Sequence, residues 1–251
     1  MFEEAKKQVG SRGDDLDRMI EEHVHGVGRA FWRDVERASC KSANEFLTQM
    51  GVALSDAPAE VSQFRVLGRE NYDIHIIADG AGILLMRDML RALTDSHRKT
   101  ADRLLPRIAS LDLITPVIDR TEFEQEFIEL VRILSQRGAI PGGGSRCALH
   151  VPHRETEQRL AVGLYSKSIL ELIENAFCDR HEVTPVFIGK STEKTGLRHH
   201  WTSNPAFSSI DISDINVVTG LAEPLEQHQL QSRTKLLESI LQRIAPVTAT
   251  A

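Results

Sequence analysis

Three short segments of the chain each place one ionisable residue between two aliphatic residues. They read Leu-Asp-Leu at 111–113, Leu-His-Val at 149–151 and Ile-Asp-Ile at 210–212. Successive side chains of a β-strand point to opposite faces, so the aliphatic residues predict a sheet face buried against helices. Asp112, His150 and Asp211 are then predicted to look out from the other face. If the three strands share one sheet, the two carboxylates and the imidazole are expected to converge on its polar face.

Further strands and several helices are predicted around these segments. The strand candidates lie at about 62–67, 73–78, 110–115, 147–151, 184–188 and 209–217. Helices are predicted at 13–50, at 121–137, after Ser168 and at about 226–244. Capping boxes at Thr121 with Glu124 and at Ser168 with Glu171 predict two helix starts, and Gly138 predicts a helix end. The apolar faces are predicted to contain Leu16, Ile20, Val24, Val27, Phe31 and Val35 in the first helix, Phe123, Phe127, Leu130, Val131 and Leu134 in the second, and Leu237, Leu241 and Ile244 in the last.

The chain divides, on this pattern, into two parts. A turn-forming segment, SDAPAE at 55–60, follows the first helix. We predict an N-terminal helical segment at 1–58 and an α+β core with a C-terminal helix at 59–251. A chain of 251 residues is long enough to bury a sizeable core in either one or two domains.

Composition excludes several classes of partner. The net charge is −6 and no Lys/Arg stripe alternates with aromatic residues, which excludes a broad nucleic-acid surface. No apolar run approaches the roughly 18–20 residues that a membrane helix needs. The first residues contain acids and no apolar region typical of a secretory signal. The three cysteines form no Cys-x-x-Cys pair, so reduced thiols and a cytoplasmic location are expected.

The polar strand residues suggest two readings. Carboxylates with a neutral imidazole suit Mg²⁺ or Mn²⁺, and such a metal holds nucleotide phosphates. The same alternation is also typical of a sheet with one solvated face and no ligand. The loop PGGGSR at 141–146 leaves two readings as well: its backbone amides could approach phosphate, or it is a flexible connector.

The order of these segments resembles that of the amidoligase family, relatives of glutamine synthetase and of glutamate–cysteine ligase. The matching stretches are IIADG (76–80), LDLITPVI (111–118), RCALHVPH (146–153), GLRHHWTSN (196–204) and SIDISDI (209–215). Together they cover about 72–220. The resemblance implies an α+β fold with a curved, mainly antiparallel sheet and helices on one face, as in glutamine synthetase. The N-terminal helices are an addition to it.

The resemblance also implies a reaction. Such enzymes use ATP and Mg²⁺ to activate a carboxylate as an acyl phosphate, which an amine then attacks. The substrates would be a small-molecule or peptide carboxylate and an amine. By position, the metal ligands would be Asp112, His150 and Asp211, the nucleotide contacts His150, Arg198 and Asn204, and the catalytic residues Arg198 and Asp211.

Departures from the family pattern support an alternative function. The family's G-x-E-x-E strand is not found, Pro152 replaces the second histidine of its H-V-H motif, and Ser213 replaces the expected arginine. A catalytically eroded binding or regulatory protein on the same scaffold is therefore the alternative, and a chain that starts too late would also lack that first strand. An unrelated α/β protein with a polar sheet face is the third reading. The sequence specifies neither the substrates nor the oligomeric state.

Overall fold

The structure is a computed structural model. It describes residues 2–49, 73–99, 107–140, 147–152, 157, 161–162, 164–178, 187–190, 211–214 and 230–244. The predicted strand at 62–67, the turn at 55–60 and the loop at 141–146 lie outside these residues.

Six strands are present in the described residues. They are β1 (Asp73–Asp79), β2 (Arg107–Ile114), β3 (Cys147–Val151), β4 (Ala161–Val162), β5 (Tyr165–Ser168) and β6 (Asp211–Asp214). The main sheet has the order β1-β2-β3-β6, and each neighbouring pair is parallel. The strands β4 and β5 form a separate antiparallel pair. Of the 184–188 candidate, Phe187 forms an isolated bridge to Asp119.

The helical elements surround this sheet. They are α1 (Phe2–Gln49), α2 (Gly82–Lys99), α3 (Arg120–Glu122), α4 (Ile128–Gln136), α5 (Ile169–Leu172) and α6 (Leu230–Ile244). A π-helical segment, Phe123–Phe127, joins α3 to α4, and a second one, Ile173–Phe177, continues α5. The four predicted helices are confirmed, whereas α2 was not among them.

The predicted curved, mainly antiparallel sheet of the glutamine synthetase type is wrong. Helix α2 lies between β1 and β2, and α3 and α4 lie between β2 and β3. A helical crossover returns the chain to the same end of the sheet, so the next strand runs parallel to the last. The alternation of strands and helices was already visible in the sequence and is the pattern typical of parallel α/β folds.

Both faces of the main sheet are covered, so the prediction of helices on one face is also wrong. Leu111, Leu113 and Leu149 belong to the main core, together with residues of α1, α2 and α4. On the opposite face, Ile114 packs with Leu236 and Ile240 of α6. Parallel sheets are generally covered on both faces, which explains why the predicted exposed polar face is buried here.

A bulge in β2 sets which of its side chains point into the main core. Ile74 pairs with Ile108 and His75 pairs with Ser110, so Ala109 is an extra residue in β2. A bulge shifts the alternation of the side chains by one position. Ile108 and Leu111 consequently both join the main core, although they are three residues apart.

The long helix α1 packs on the rest of the chain through a face that contains only part of the predicted one, since Ile20, Val24 and Val35 pack against buried clusters. Trp32, Ala43 and Leu47 join the main core, whereas Val27 and Phe31 are exposed. Buried carboxylates fix this orientation. Asp17 accepts hydrogen bonds from Ser166, and Glu21 accepts hydrogen bonds from Tyr165, Lys167 and Asn175. The division into 1–58 and 59–251 stays a prediction.

The two predicted helix starts differ in outcome. Ser168 and Glu171 form the expected capping box. At the other helix, Asp119 rather than Thr121 is the cap, because its carboxylate accepts from the backbone N–H groups of Thr121 and Glu122. Gly138 has a φ of +75°, the left-handed conformation expected of a residue that ends a helix.

The helices of the described residues were also compared with the requirements of a membrane span. None of them combines the length and the apolar composition that crossing a bilayer requires.

Candidate functional site

The main sheet brings Asp112 and His150 into contact. Asp112 lies on β2 opposite Ala148 of β3, and His150 lies two residues further along β3. The ring Nε2 of His150 is 3.0 Å from Oδ1 of Asp112. Both side chains are buried: that of His150 is 4% exposed and that of Asp112 is 0% exposed. The structure therefore joins two of the predicted site residues on one sheet face.

Helix α6 adds a third charged group to this pair. The guanidinium of Arg243 donates from Nη2 to Oδ1 of Asp112. Since a carboxylate only accepts hydrogen bonds, Nε2 of His150 is the donor to the same oxygen. One buried oxygen thus accepts from both an imidazole and a guanidinium. We refer to Asp112, His150 and Arg243 as the charged triad.

Two polar residues extend the triad towards β1. The hydroxyl of Ser110 donates to Oδ2 of Asp112 over 3.4 Å. Nδ1 of His75, which is half-buried, lies 2.8 Å from the Ser110 hydroxyl oxygen. A chain of polar contacts consequently runs across three strands, from His75 through Ser110 and Asp112 to His150.

Of the other predicted site residues, only the backbone of Asp211 lies within the described residues. It pairs with Ala148, so the register places it in the same cross-strand row as Asp112. Ser213 pairs with His150. Arg198 and Asn204 lie outside the described residues, and their predicted roles stay predictions.

The triad lies close to the carboxyl edge of the parallel sheet, where α/β proteins bind ligands. Thr115, directly after β2, has a φ of 45°, which few residues other than glycine adopt. Its backbone N–H donates to the His150 carbonyl over 2.8 Å. Gly189 holds the same loop from outside: a Cβ at this position would lie 2.4 Å from the Pro116 carbonyl oxygen. The loop after β2 is thus fixed on both sides.

The predicted metal site was tested against these contacts. A carboxylate oxygen and an imidazole nitrogen are suitable ligands for Mg²⁺ or Mn²⁺. In this arrangement, however, Oδ1 of Asp112 accepts from His150 and Arg243, so both residues are engaged within the protein. Within the described part of the chain, no group of three or more His, Cys, Asp or Glu side chains is placed to hold a metal ion. The triad does not fit a metal in this conformation.

Sequence reasoning missed Arg243, Ser110 and His75. Leu236, Ile240 and Arg243 are spaced by four and three residues, so they share one face of α6. This face packs on the sheet together with the predicted Ile244, whereas the predicted Leu237 and Leu241 are exposed. A charged residue at the end of an apolar helix face was the available signal. For Ser110, the signal was its position two residues before Asp112.

Cys147 lies on the strand next to Asp112 but is not a candidate nucleophile. Its side chain joins the main core, and burial, together with the negative charge of Asp112, raises the pKa of the thiol to about 12. The reactive form of a cysteine is the thiolate. This group is therefore protonated near neutral pH.

The thiols are expected to differ in reactivity. With iodoacetamide at pH 7.5, exposed Cys40 should be alkylated within minutes, whereas Cys147 and Cys178 should react at least roughly tenfold more slowly. Burial raises the pKa of the Cys178 thiol to about 12 as well. Peptide mass spectrometry over time measures the three rates. Alkylation of Cys147 at the rate of Cys40 in the folded protein would contradict the burial described here.

The chain was compared with known proteins. No protein-family model, no curated protein and no solved structure matches it. The amidoligase resemblance therefore stays a prediction that rests on the sequence motifs alone.

Proposed function

We propose that the chain binds a nucleotide through its phosphates at the charged triad. Of the two functions predicted from the sequence, this corresponds to the binding or regulatory protein without turnover. The observation that carries the proposal is the contact of Arg243 with Asp112 beside His150. It supports anion recognition, because a guanidinium held by a carboxylate is oriented in advance for a second partner. A cytoplasmic location, where ATP is abundant, belongs to the same proposal.

The exposure of Arg243 supports a ligand on the outer side of the charged triad. The side chain of Arg243 is 40% exposed, whereas that of Asp112 is fully buried. A guanidinium has five N–H donors in a planar fork whose geometry matches that of phosphate oxygens. Guanidinium–phosphate hydrogen bonds are charge-assisted and stronger than neutral ones. The arginine expected at the position of Ser213 is thereby replaced by one from another element.

The contacts of Asp112 favour binding over catalysis. Its two oxygens accept from Ser110, His150 and Arg243. A ligase of the predicted type needs acidic residues that hold Mg²⁺ against the triphosphate. The carboxylate of Asp112 is instead neutralised by groups of the protein itself.

One observation favours a second candidate, the ATP- and Mg²⁺-dependent carboxylate–amine ligase. The register places Asp211 in the same row as Asp112, two strands away. Mg²⁺ in nucleotide-dependent enzymes is usually held by one or two carboxylates together with the substrate phosphates. Under this candidate the protein would join a small-molecule or peptide carboxylate to an amine.

Calorimetric titration with ATP, with and without Mg²⁺, tests the proposal. We expect binding without Mg²⁺, and a loss of affinity of about tenfold or more in Arg243→Ala, because a charge-assisted hydrogen bond contributes about 1.5–3 kcal/mol. Arg132→Ala is the matched control, since Arg132 is an exposed arginine on α4 that pairs with Glu129. Its affinity should equal that of the wild type.

The same preparation separates the two candidates. Absence of ATP binding at millimolar concentration, or equal affinities of the Arg243→Ala variant and the wild type, would contradict the proposal. ADP release that requires Mg²⁺, a carboxylate and an amine would establish the ligase instead.

A further inference from the structure

We propose that the outer face of α1 is an interface with a second copy of this chain, and that the two α1 helices pair antiparallel. This surface is distinct from the charged triad, because α1 packs on the main core and the triad lies on the other face of the sheet. The inference starts from the two faces of α1. Trp32, Ala43 and Leu47 are buried in the main core, whereas other large apolar side chains of the same helix are exposed.

The exposed apolar residues of α1 belong to one continuous row along the helix. Residues spaced by three or four positions lie on the same side of a helix. Met19 and Val27 of this row are 64% and 77% exposed, and Phe31 beside it is 58% exposed with its ring edge on Phe177. A helix with apolar residues on both faces is generally covered on both. The row, which we call the α1 stripe, consists of the exposed residues Leu16, Met19, His23, Val27, Ala30, Asp34, Arg37 and Lys41.

The charges along α1 identify a second copy as the partner. The exposed charged residues at 13–26 are three acids and one base, whereas those at 30–42 are three bases and two acids. The two halves of the exposed surface are therefore opposite in net charge, and this surface complements its own antiparallel image. A parallel pair would instead place cations of each helix beside the same cations of the other. The residues counted are Asp14, Asp15, Arg18 and Glu22 in the first half and Arg33, Asp34, Glu36, Arg37 and Lys41 in the second.

The spacing of the α1 stripe also defines the register of the pair. The stripe maps onto itself when the two-fold axis passes between positions 28 and 29 of both helices. Val27 then lies opposite Ala30 of the second copy, and His23 lies opposite Asp34, to which an imidazole N–H can donate. The ends of the stripe are complementary as well, because the aliphatic stems of long cationic side chains cover apolar surface. Each pair occurs twice, as a two-fold interface requires.

Sedimentation velocity of the full chain over about 1–100 µM, the range in which a micromolar Kd is measured, tests the interface. We expect a dimer, and a Kd at least tenfold higher in Val27→Glu, which buries a carboxylate at the centre of the interface. Circular dichroism should show this variant folded, because Val27 is exposed. Leu164→Glu, at an 80% exposed residue outside α1, is the matched control and should dimerise like the wild type. Asp34→Lys should weaken the dimer, and His23→Glu added to it should restore the dimer with the charges exchanged.

Spin-label distances measured by pulsed electron paramagnetic resonance test the orientation. In a Cys40→Ser background, labels on Leu16→Cys should lie about 37 Å apart along the helix axis, because 25 positions at about 1.5 Å each separate them in the antiparallel register. Labels on Ala30→Cys should lie within about 20 Å of each other, since this position is close to the two-fold axis. A monomer throughout the concentration range, a dimer that Val27→Glu leaves unchanged, or short distances at both positions would contradict the proposal.

Discussion

Phe127→Ala is expected to lower the free energy of unfolding by about 3–5 kcal/mol, the usual cost of removing a fully buried aromatic ring. Phe127 is completely buried in the main core. Its ring stacks on that of Phe123, with centroids 5.0 Å apart and an interplanar angle of 14°. Both rings lie in the π-helical segment that joins α3 to α4, so the alanine leaves a cavity between this segment and the sheet. Urea denaturation followed by circular dichroism measures the change.

The control for this variant is Phe46→Ala, on the surface of α1. The side chain of Phe46 is 44% exposed, so its truncation should cost less than about 1 kcal/mol. Equal losses in the two variants would show that the ring of Phe127 is not in the core.

Lys190→Met is expected to destabilise the protein by about 3–5 kcal/mol at pH 7, since it leaves a buried carboxylate without its counter-ion. Nζ of Lys190 lies 2.6 Å from Oε2 of Glu174, and both side chains are largely buried. The other oxygen of Glu174 accepts from the backbone N–H of Phe187 over 3.1 Å. Burial raises the pKa of Glu174 above its ordinary value of 4.5, and Lys190 opposes this rise.

The loss in Lys190→Met should depend on pH with a defined sign. Without Lys190, the pKa of Glu174 in the folded protein rises further above its value in the unfolded chain. The folded state then holds this proton more tightly, so the contribution of Glu174 to stability is fully present below pH 4.5 and is lost as the pH rises through the folded pKa. Urea denaturation at a series of pH values measures this slope.

A double variant provides the control for the ion pair. Adding Glu174→Gln to Lys190→Met removes the carboxylate, so it should recover most of the lost stability and abolish the added pH dependence. A loss that is independent of pH, or no recovery in the double variant, would contradict the buried pair. Because Gly189 packs on the loop after β2, this pair also helps to fix the edge of the sheet near the triad.

The sequence predicted local structure better than topology. The apolar spacing and the cap at Ser168 identified the helix that contains Phe123 and Phe127 and the start of α5, because these signals depend on residues three or four apart. The direction of the strands depends on how the connections cross the sheet, which the spacing of short motifs does not specify. The faces of α1 and α6 were only partly predicted, because the polar residues Asp17, Glu21 and Arg243 lie on the packed faces and interrupt the apolar pattern.

The candidate site was partly predictable, because the alternation of side chains along one strand is also a local signal. Alternation along single strands placed Asp112 and His150 on one face, and the structure brings them into contact. Alternation contains no information about what covers a face, so the helix that carries Arg243 was not connected with the site. That contact requires residues 131 positions apart to meet.

The most direct test of the central claim is the response of the His150 ring to ATP. Long-range proton–nitrogen correlation spectra of the histidine rings, with His150→Gln as the assignment control, report the ring hydrogen-bonded through Nε2. We predict that ATP without metal shifts the His150 signals with the affinity found by calorimetry, while those of exposed His23 on α1 stay in place. Saturation of the protein with ATP without any change at His150 would contradict nucleotide binding at the charged triad.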